Sequence, residues 1–174
     1  MGHIHLEAGQ YDNTVSAFII NPDNGTVLLH KHKLLGLWLQ PGGHVELNEN
    51  PWSALTHELA EETGYDISLL NILQPKFLFD GLVETVHPVP LVSRSHVFPN
   101  SVKHFHTDNS YGFLTTDSPT LLLGEGESDV LYWFTYGELE MLSAEEIIPD
   151  TRTIALRLLE TFGLFESVPA VNFC

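Results

Sequence analysis

Residues 42–65 constrain the fold of this chain more than any other stretch. They begin with a Gly-Gly pair, continue through a short extended run and a loop, and then fit a helix. Asn50 is a favourable N-cap, Pro51 suits the first helical position, and Gly64 is typical of a C-terminal cap. Between these limits an apolar stripe falls at helical spacing: Trp52, Leu55 and Leu59. The pattern therefore predicts a helix that begins at Pro51 and stops at Gly64.

Three carboxylates share one face of this predicted helix. Glu58, Glu61 and Glu62 are spaced three and four residues apart, and at about 100° per residue they span an arc of about 100°. Like charges at this spacing repel, and the second half of a helix disfavours anions. A hard divalent cation would reverse this penalty, because clusters of carboxylate oxygens suit Mg²⁺ or Mn²⁺. The alternative is a solvated acidic face, which is common in acidic proteins.

The spacing of the fixed residues resembles a known motif. Gly43, five residues, Glu49, seven residues and then residues 57–64 match the Nudix box, G-x5-E-x7-R-E-U-x-E-E-x-G-U, in which U is aliphatic. His57 stands where the family has Arg, and Tyr65 stands where it has an aliphatic residue. All the glycines and glutamates of the box are present. On these residues the chain is identified as a member of the Nudix hydrolase superfamily.

The resemblance implies an α/β (α+β) fold, a Nudix-type α/β/α sandwich with a mixed β-sheet between helices. We expect residues 1–174 to form a single Nudix domain. Local patterns predict strands over 13–20, 26–32, 36–40, 91–97, 103–115 and 130–134, and an apolar run over 67–79 that Pro75 interrupts. They predict a loop over 117–128, a short helix from 137 to 142, and a last helix capped by Asp150 and stopped by Gly163.

The resemblance also implies an activity and a metal site. Nudix enzymes typically hydrolyse nucleoside diphosphates linked to another moiety, and they use Mg²⁺ or Mn²⁺. By this resemblance Glu58 and Glu62 are the first expected metal ligands, with Glu61 close behind. The backbone carbonyl of Gly42 would complete the shell, because glycine lets the turn approach the ion. Glu49 would lock the loop to the helix as an outer-shell group.

The general base is less narrowly defined by the resemblance. In the family it is either a box glutamate, which here means Glu58 or Glu61, or a glutamate from a later loop. Glu127 or Glu125 fits the later-loop position, since both lie in a Gly-Glu-Gly-Glu run. The alternative interpretation of that run is an ordinary acidic turn.

His57 departs from the family at the centre of the motif. The family Arg is a permanent cation that orients box carboxylates. His57 lies four residues before Glu61, so a charge-assisted contact between them is expected, but only a protonated imidazole supplies the charge. This substitution puts catalytic rate and metal affinity at issue. The alternative is an exposed histidine without a role.

Several residues are candidates for binding substrate. Lys31 and Lys33, with the histidines beside them, are candidate phosphate contacts, although a polar strand end explains them as well. Four aromatic residues are candidates for stacking on a base, and core packing is the alternative for each: Trp38, Phe79, Phe105 and Tyr111. The sequence motifs that mark the known substrate subfamilies are absent, so the resemblance does not define the substrate.

Three histidines form a separate candidate. His104 and His106 are two residues apart, so on a strand they share a face, and with His96 they would make a zinc site. A neutral histidine pair on a solvated face is the commoner alternative.

Composition limits the partners. The chain has 7 Lys and Arg against 23 Asp and Glu, a formal net charge of −16. Such a surface repels polyanions, so nucleic acid polymers and anionic membranes are poor partners, whereas a small nucleotide accompanied by cations is compatible. No secretory signal or long apolar run is present, which predicts a cytoplasmic protein. Monomer and homodimer both stay open.

Two alternatives to hydrolysis stay open. An isomerase-like relative would need a catalytic cysteine, and the single Cys174 is poorly placed for that role. A Nudix-fold ligand-binding or regulatory module without turnover would be accompanied by a degraded box, and His57 is the one departure that points that way.

Overall fold

Strand β1, Tyr11–Asn21, lies in the sheet between two hydrophobic cores. In the computed structural model, which describes residues 9–76, 86–97 and 104–174, its side chains alternate between two cores. Val15, Ala17 and Ile19 face one core, while Phe18 and Ile20 face the other. The sheet is therefore covered on both faces, as a three-layer sandwich requires.

The described residues form nine strands and three α-helices. After β1, the strands are β2 (Thr26–Lys31), β3 (Trp38–Leu39), β4 (Gly42–His44), β5 (Asn71–Gln74), β6 (Val92–Val97), β7 (Phe105–Leu114), β8 (Leu131–Thr135) and β9 (Glu166–Pro169). The helices are α1 (Pro51–Thr63), α2 (Tyr136–Met141) and α3 (Pro149–Thr161). Short 3-10 turns lie at Ile67–Leu69, Phe162–Leu164 and Ala170–Phe173.

The strands form one mixed sheet. Its main path runs β3-β2-β1-β7-β5-β9, with β4 also paired to β1, β6 to β7 and β8 to β2. The strands β1 and β2 form an antiparallel hairpin, with Ile19 opposite Leu28. The pairing of β1 with β7 is parallel, and it sets Asp12 opposite His106. The other strand pairs among the described residues are antiparallel.

Helices cover both faces of this sheet. Trp52, Leu55 and Leu59 of α1 pack in the core with Val15. On the opposite face, Leu139 of α2 and the α3 residues Ala155 and Leu158 share a core with Phe18. Burying a leucine side chain fully stabilises the fold by about 1.5–3 kcal/mol, so the apolar stripe of α1 contributes several kcal/mol in total. The prediction of a mixed sheet between helices is confirmed.

The box helix begins and ends where the sequence predicts. The Asn50 side chain accepts hydrogen bonds from the backbone N–H groups of Trp52 (2.9 Å) and Ser53 (3.0 Å), and the Ser53 hydroxyl accepts one from Asn50 N–H (3.1 Å). Gly64 adopts the left-handed conformation, at φ 72°, and its N–H donates to Ala60 O. These caps satisfy groups at both ends of α1 that the helix itself leaves open.

The last helix differs from its prediction. Ile148 occupies the N-cap position of α3 without a side-chain cap, and Pro149 is the first helical residue. Asp150 was predicted as the cap and instead lies in the first turn, where it accepts a hydrogen bond from Arg94 (2.8 Å). The helix ends at Thr161, so Gly163 falls in the following 3-10 turn.

The predicted strands lie where the structure has strands, but their burial is not always as predicted. The apolar run over 130–134 predicts a buried strand, yet Tyr132 is 46% exposed in the structure. Pro75 does end the run over 67–79, since β5 stops at Gln74. Residues 77–79 and 103 of the predicted strands lie outside the described part of the chain. The edge strand β9 was not predicted, and residues 117–128 contain no helix or strand, as expected. None of the described helices has the length and apolarity to cross a membrane.

Candidate active site

The site is built where α1 meets β4. The backbone N–H of Gly42 donates to Glu62 Oε2 at 2.7 Å, which ties the end of the helix to the strand. Gly42 has φ 147°, and a Cβ atom there would lie 2.1 Å from Val15 O. Any other residue at this position would therefore push β4 away from β1 and away from Glu62.

The second glycine makes room for the second carboxylate. A Cβ atom on Gly43 would lie 2.0 Å from Glu58 Oε1 and 2.5 Å from its Cδ. The carboxylate of Glu58 thus packs directly on the backbone of β4. Together the two glycines let both carboxylates approach the same stretch of strand, which explains why the glycines and glutamates occur as one motif.

Burial makes these carboxylates difficult to ionise. Glu58 is 4% exposed and Glu62 is 7% exposed. Burial, and then the charges of Glu127 and Glu61, raise the pKa of Glu58 to about 7, although His57 opposes the shift. Burial raises the pKa of Glu62 to about 9; the Gly42 N–H opposes it, and Glu58 and Glu127 add to it. Two acids held close together in this way are a typical setting for a cation.

A third acid arrives from the loop of residues 117–128. The Glu127 side chain lies within hydrogen-bonding reach of Glu62, and its charge raises the pKa of both Glu62 and Glu58. The loop is held against α1 by the Gly124 N–H, which donates to Glu61 O at 2.8 Å. Of the two loop glutamates proposed as bases, Glu127 is therefore the one that contacts the box carboxylates in the described structure.

Tyr65 explains how a residue other than an aliphatic one fits the box. It is 2% exposed and packs in the α1-side core. Its hydroxyl donates to Asp117 O at 2.8 Å, and the Gly64 carbonyl accepts from Leu121 N–H at 2.9 Å. The end of the box helix thus anchors the start of the loop that carries Glu127.

His57 lies between two acids on the outer side of the helix. Its Nε2 is 3.2 Å from Glu61 Oε1, and its Nδ1 is 3.5 Å from Glu49 Oε1. Partial burial lowers the pKa of His57, but the carboxylates of Glu61 and Glu49 outweigh it, and the pKa is raised above the ordinary histidine value. The imidazole side chain is 53% exposed, so solvent weakens the contact. The expected contact with Glu61 is present, and Glu49 joins it.

His30 is a site residue whose role the sequence analysis missed. Its Nδ1 lies 3.8 Å from Glu62 Oε1, and the residue is 3% exposed. Burial, and then the neighbouring His32, lower the pKa of His30 to about 4, so the contact is between a neutral imidazole and a carboxyl group rather than an ion pair. The signal was the alternation of β2, since His30 follows Leu28 by two residues and so shares its α1-side face.

The two candidate lysines lie in different places. Lys33 Nζ donates to the carbonyl of Gly126 at 2.7 Å, beside Glu127. Lys31 Nζ sits 5.1 Å from the ring centroid of Trp38. Trp38 lines an open groove of about 670 Å³ with Tyr132 and other residues of β8 and α2. Lys33 is thus next to the acidic cluster, whereas Lys31 and Trp38 share an aromatic surface.

The other aromatic candidates occupy packed positions. Tyr111 is 3% exposed, and its ring centroid lies 6.2 Å from that of Trp52 in the α1-side core. Phe105 stacks on Tyr11 at 4.8 Å. The position of Tyr111 favours the core-packing interpretation, whereas Phe105 is half-buried, belongs to neither core and stacks on an exposed ring. Phe79 lies outside the described residues.

The histidines of β6 and β7 lie apart from the box carboxylates in the sequence and join a different acid. His104 Nε2 is 3.1 Å from Asp12 Oδ2, and ligand atoms of Asp12, His104 and His106 lie within 4.8 Å of one another. His96 pairs opposite His106 across the two strands, with ring centroids 5.4 Å apart. The sequence predicted the histidine group but did not include Asp12.

Comparisons with known proteins agree with this geometry. A family model described as the NUDIX domain matches residues 10–156. The structure is similar to that of a NUDIX-family hydrolase from Clostridium perfringens, with 28% identity, a TM-score of 0.68, and coverage of 85% of this chain and 95% of that one. A comparison with curated protein sequences gave no significant match.

Two other similar structures carry more specific names. One is a bifunctional NMN adenylyltransferase/ADP ribose pyrophosphatase from Francisella tularensis, complexed with AMP and a manganese ion, with 22% identity, a TM-score of 0.55, and coverage of 88% of this chain and 42% of that one. The other is the dihydroneopterin triphosphate pyrophosphohydrolase of E. coli, with 13% identity, a TM-score of 0.60, and coverage of 86% and 95%. At these identities the similarity shows the fold alone.

Proposed function

The chain belongs to the Nudix family and is a Nudix-type hydrolase, and from this premise we propose that it cleaves a pyrophosphate linkage in a nucleoside diphosphate linked to another moiety, in a metal-dependent reaction. The similar hydrolases support pyrophosphate hydrolysis as the general chemistry. The proposed bond, the cation and the residue roles rest on the acidic cluster of Glu58, Glu62 and Glu127.

One observation carries the proposal: buried carboxylates converge on a glycine turn, with Glu58 and Glu62 each less than a tenth exposed. Burial, and then the mutual repulsion of the acids, disfavour their charged forms, and the raised pKa values express that cost. A divalent cation offsets the repulsion, and an oxygen-only donor set suits Mg²⁺ or Mn²⁺ rather than softer ions. The residues present therefore fit the cation that the family uses.

We assign the cation to Glu58, Glu61 and Glu62 with the carbonyl of Gly42. When bound, such an ion neutralises charge on the phosphates and lowers the pKa of a coordinated water. The Gly42 N–H holds Glu62 in place by a 2.7 Å hydrogen bond, and the bare backbone of Gly43 admits Glu58. Glu49 and His57 brace Glu61 from the outer side.

Proton transfer is the second role of the carboxylates. The attacking water must lose a proton as its oxygen bonds to phosphorus, and Glu127 is our candidate for accepting it, with Glu58 and Glu61 as the box alternatives. The contact between Glu127 and Glu62 supports this choice, because it brings the loop carboxylate to the cluster. Lys33 bonds the same loop and supplies positive charge for a phosphate.

The substrate is proposed as a small nucleotide-type molecule. The net charge of −16 disfavours polymeric nucleic acid, whereas a small diphosphate needs only a local cation. Lys31 and Trp38 provide a candidate surface for a base, next to the open groove. Tyr111 is a weaker candidate for stacking on a base, because its ring is buried.

A ligand-binding module without turnover is the competing proposal. One observation favours it: His57 replaces the Arg of the family box and makes only partly exposed contacts with Glu49 and Glu61. The intact acidic cluster favours hydrolysis, because binding alone would not require Glu127 to meet Glu62.

The test is release of phosphate or nucleoside monophosphate from a panel of nucleoside diphosphate derivatives, with Mg²⁺ or Mn²⁺ present. We expect turnover of at least one substrate, dependence on the cation, and a large loss of rate in Glu62→Gln. Glu125→Gln is a matched control, because Glu125 is an exposed acid of the same loop. Tight nucleotide binding without turnover in the wild-type protein would favour the binding module.

A further inference from the structure

We propose that Asp12, His104 and His106 form a second metal site, separate from the box carboxylates, for a borderline first-row divalent ion such as Zn²⁺. The site takes no residue from the box glutamates. Three observations support this proposal: the strand register that brings the three side chains together, their burial, and the donor atoms that they offer.

Strand register brings the ligands together. In the parallel pairing of β1 and β7, Asp12 stands opposite His106, and His104 lies just before the start of β7. On the other side of β1, β4 sets His44 opposite Thr14, which shares a face with Asp12. Residues that are distant in sequence therefore meet at the N-terminal end of β1.

The distances fit a common ion. His104 Nε2 lies 3.1 Å and His44 Nε2 lies 3.7 Å from the same oxygen of Asp12. Ligand atoms around a tetrahedral zinc ion are separated by about 3.4 Å, given metal–nitrogen bonds of about 2.05 Å. The candidate ligand atoms of Asp12, His104 and His106 lie within 4.8 Å of one another, so small side-chain movements would bring all three to one ion.

The ring arrangement also suits ligands grouped around a point. The His106 ring is nearly perpendicular to that of His104 (88°, centroids 5.3 Å apart) and to that of His44 (82°, 5.0 Å apart). His44 Nε2 also lies near Asp12, but His44 is not among the three residues whose ligand atoms lie within 4.8 Å of one another, so it borders the site.

Burial and charge favour a cation at this place. Asp12 is 1% exposed, His104 is 5% exposed and His106 is 7% exposed. A buried carboxylate is retained where a positive charge or strong hydrogen bonds compensate it. The nearby Arg94 pairs with Asp108 (3.6 Å) and Asp150 (2.8 Å), whereas an ion held by the histidines would place a positive charge directly at Asp12.

The donor set defines the class of ion. Imidazole nitrogens with one carboxylate oxygen suit Zn²⁺, Fe²⁺ and related ions, whereas Mg²⁺ prefers oxygen ligands only. The two sites should therefore bind different metals.

The experiment uses the full chain, stripped of metal by chelator and titrated with ZnCl₂ in the presence of excess Mg²⁺. We expect one Zn²⁺ per chain that Mg²⁺ does not displace. Asp12→Asn and His106→Gln should each weaken the affinity for Zn²⁺ by at least about 100-fold, since even outer-shell changes cost 10–100-fold at metal sites. Glu62→Gln should leave this affinity unchanged.

Two controls address other histidines. His87→Ala removes an exposed histidine and should change nothing. His3→Ala/His5→Ala removes the closely spaced pair near the N-terminus and should also keep the site. Wild-type-like Zn²⁺ affinity in His106→Gln and Asp12→Asn would overturn the proposal. Loss of binding only in His3→Ala/His5→Ala would overturn it equally.

A measurement on the unaltered protein guards against variants that fail to fold. Side-chain ¹⁵N NMR of the histidines should show Zn²⁺-dependent shifts at His104 and His106, and none at His87. Shifts confined to other histidines would contradict the assignment.

Discussion

Two buried clusters of ionisable side chains flank the short strand β4, and they differ in the donor atoms that they offer. At Gly42 and Gly43, β4 meets the α1 carboxylates of Glu62 and Glu58. At His44, it meets Asp12 and the histidines of the β7 segment. The first cluster offers oxygen donors only and the second offers mainly nitrogen donors, so the same strand separates environments that suit different cations.

The comparison also shows how two sites of similar burial arise differently. The carboxylate cluster depends on a contiguous motif, in which helix caps and glycines position the acids locally. The histidine cluster depends on the register of β1, β4 and β7, because a shift of one residue would turn Asp12 to the other face of the sheet. Variants that affect one cluster should therefore leave the chemistry of the other intact.

The largest expected effect is on turnover. Glu58→Gln and Glu62→Gln should each lower the rate of diphosphate hydrolysis by at least about 100-fold. Each removes an anionic ligand of the cation that stabilises charge in the transition state. Steady-state kinetics with saturating Mg²⁺ would measure this loss. Near-wild-type rates in both variants would mean that the carboxylate cluster does not serve catalysis. The two clusters would then not differ in catalytic role.

The next effect concerns the loop. Glu127→Gln should lower kcat by about 100-fold, the lower end of general-base catalysis, with little change in affinity for the cation. Glu125→Gln, on the same loop, should retain nearly full activity. Equal losses in the two variants would assign the effect to loop structure rather than to proton transfer by Glu127.

A pH dependence of stability should distinguish the carboxylate cluster without any substrate. In the cation-free protein the pKa values of Glu58 (about 7) and Glu62 (about 9) exceed the ordinary 4.5. The folded state then binds more protons than the unfolded state, so stability is greatest below about pH 4.5 for these groups and is lost as pH rises towards the folded values.

Between about pH 5 and about pH 8 we expect these two groups to lower the free energy of unfolding by several kcal/mol. Urea denaturation at several pH values would measure it. The decline should be smaller in Glu62→Gln and in saturating Mg²⁺, since both relieve the repulsion. An identical decline in the variant would remove Glu62 as its cause.

The smallest effect concerns His57. His57→Arg should keep or modestly raise activity, by a few-fold at most, with the largest gain above about pH 7.5, where imidazole loses its charge. His57→Ala should lose activity mainly on the acidic side, where the wild-type histidine is protonated between Glu49 and Glu61. Superimposable pH–rate profiles of the three proteins at saturating Mg²⁺ would leave His57 without a pH-dependent role.

The sequence predicted the box helix well because its determinants are local. Asn50, Pro51 and Gly64 act within one turn of the helix ends, and the structure shows the expected caps. The start of α3 was predicted less well, because Asp150 pairs with Arg94, which is distant in sequence, instead of capping. The edge strand β9 was missed because it is polar, ends in Pro169, and forms only against β5.

The candidate site follows the same rule. The sequence identified the carboxylates of the box and the loop glutamates, but only the fold shows that Glu127 contacts Glu62 while Glu125 is exposed. It identified His104 and His106 as sharing a strand face, but Asp12 required the parallel pairing of β1 with β7. Non-local register is the information that a single sequence does not carry.

The most direct test of the central claim is binding of Mn²⁺ to the carboxylate cluster. Electron paramagnetic resonance titration of Mn²⁺ would compare the wild-type protein, the triple variant Glu58→Gln/Glu61→Gln/Glu62→Gln, and His106→Gln. We predict that the triple variant loses Mn²⁺ binding while His106→Gln keeps the wild-type affinity. Unchanged affinity in the triple variant would contradict the assignment of the catalytic cation to the box glutamates.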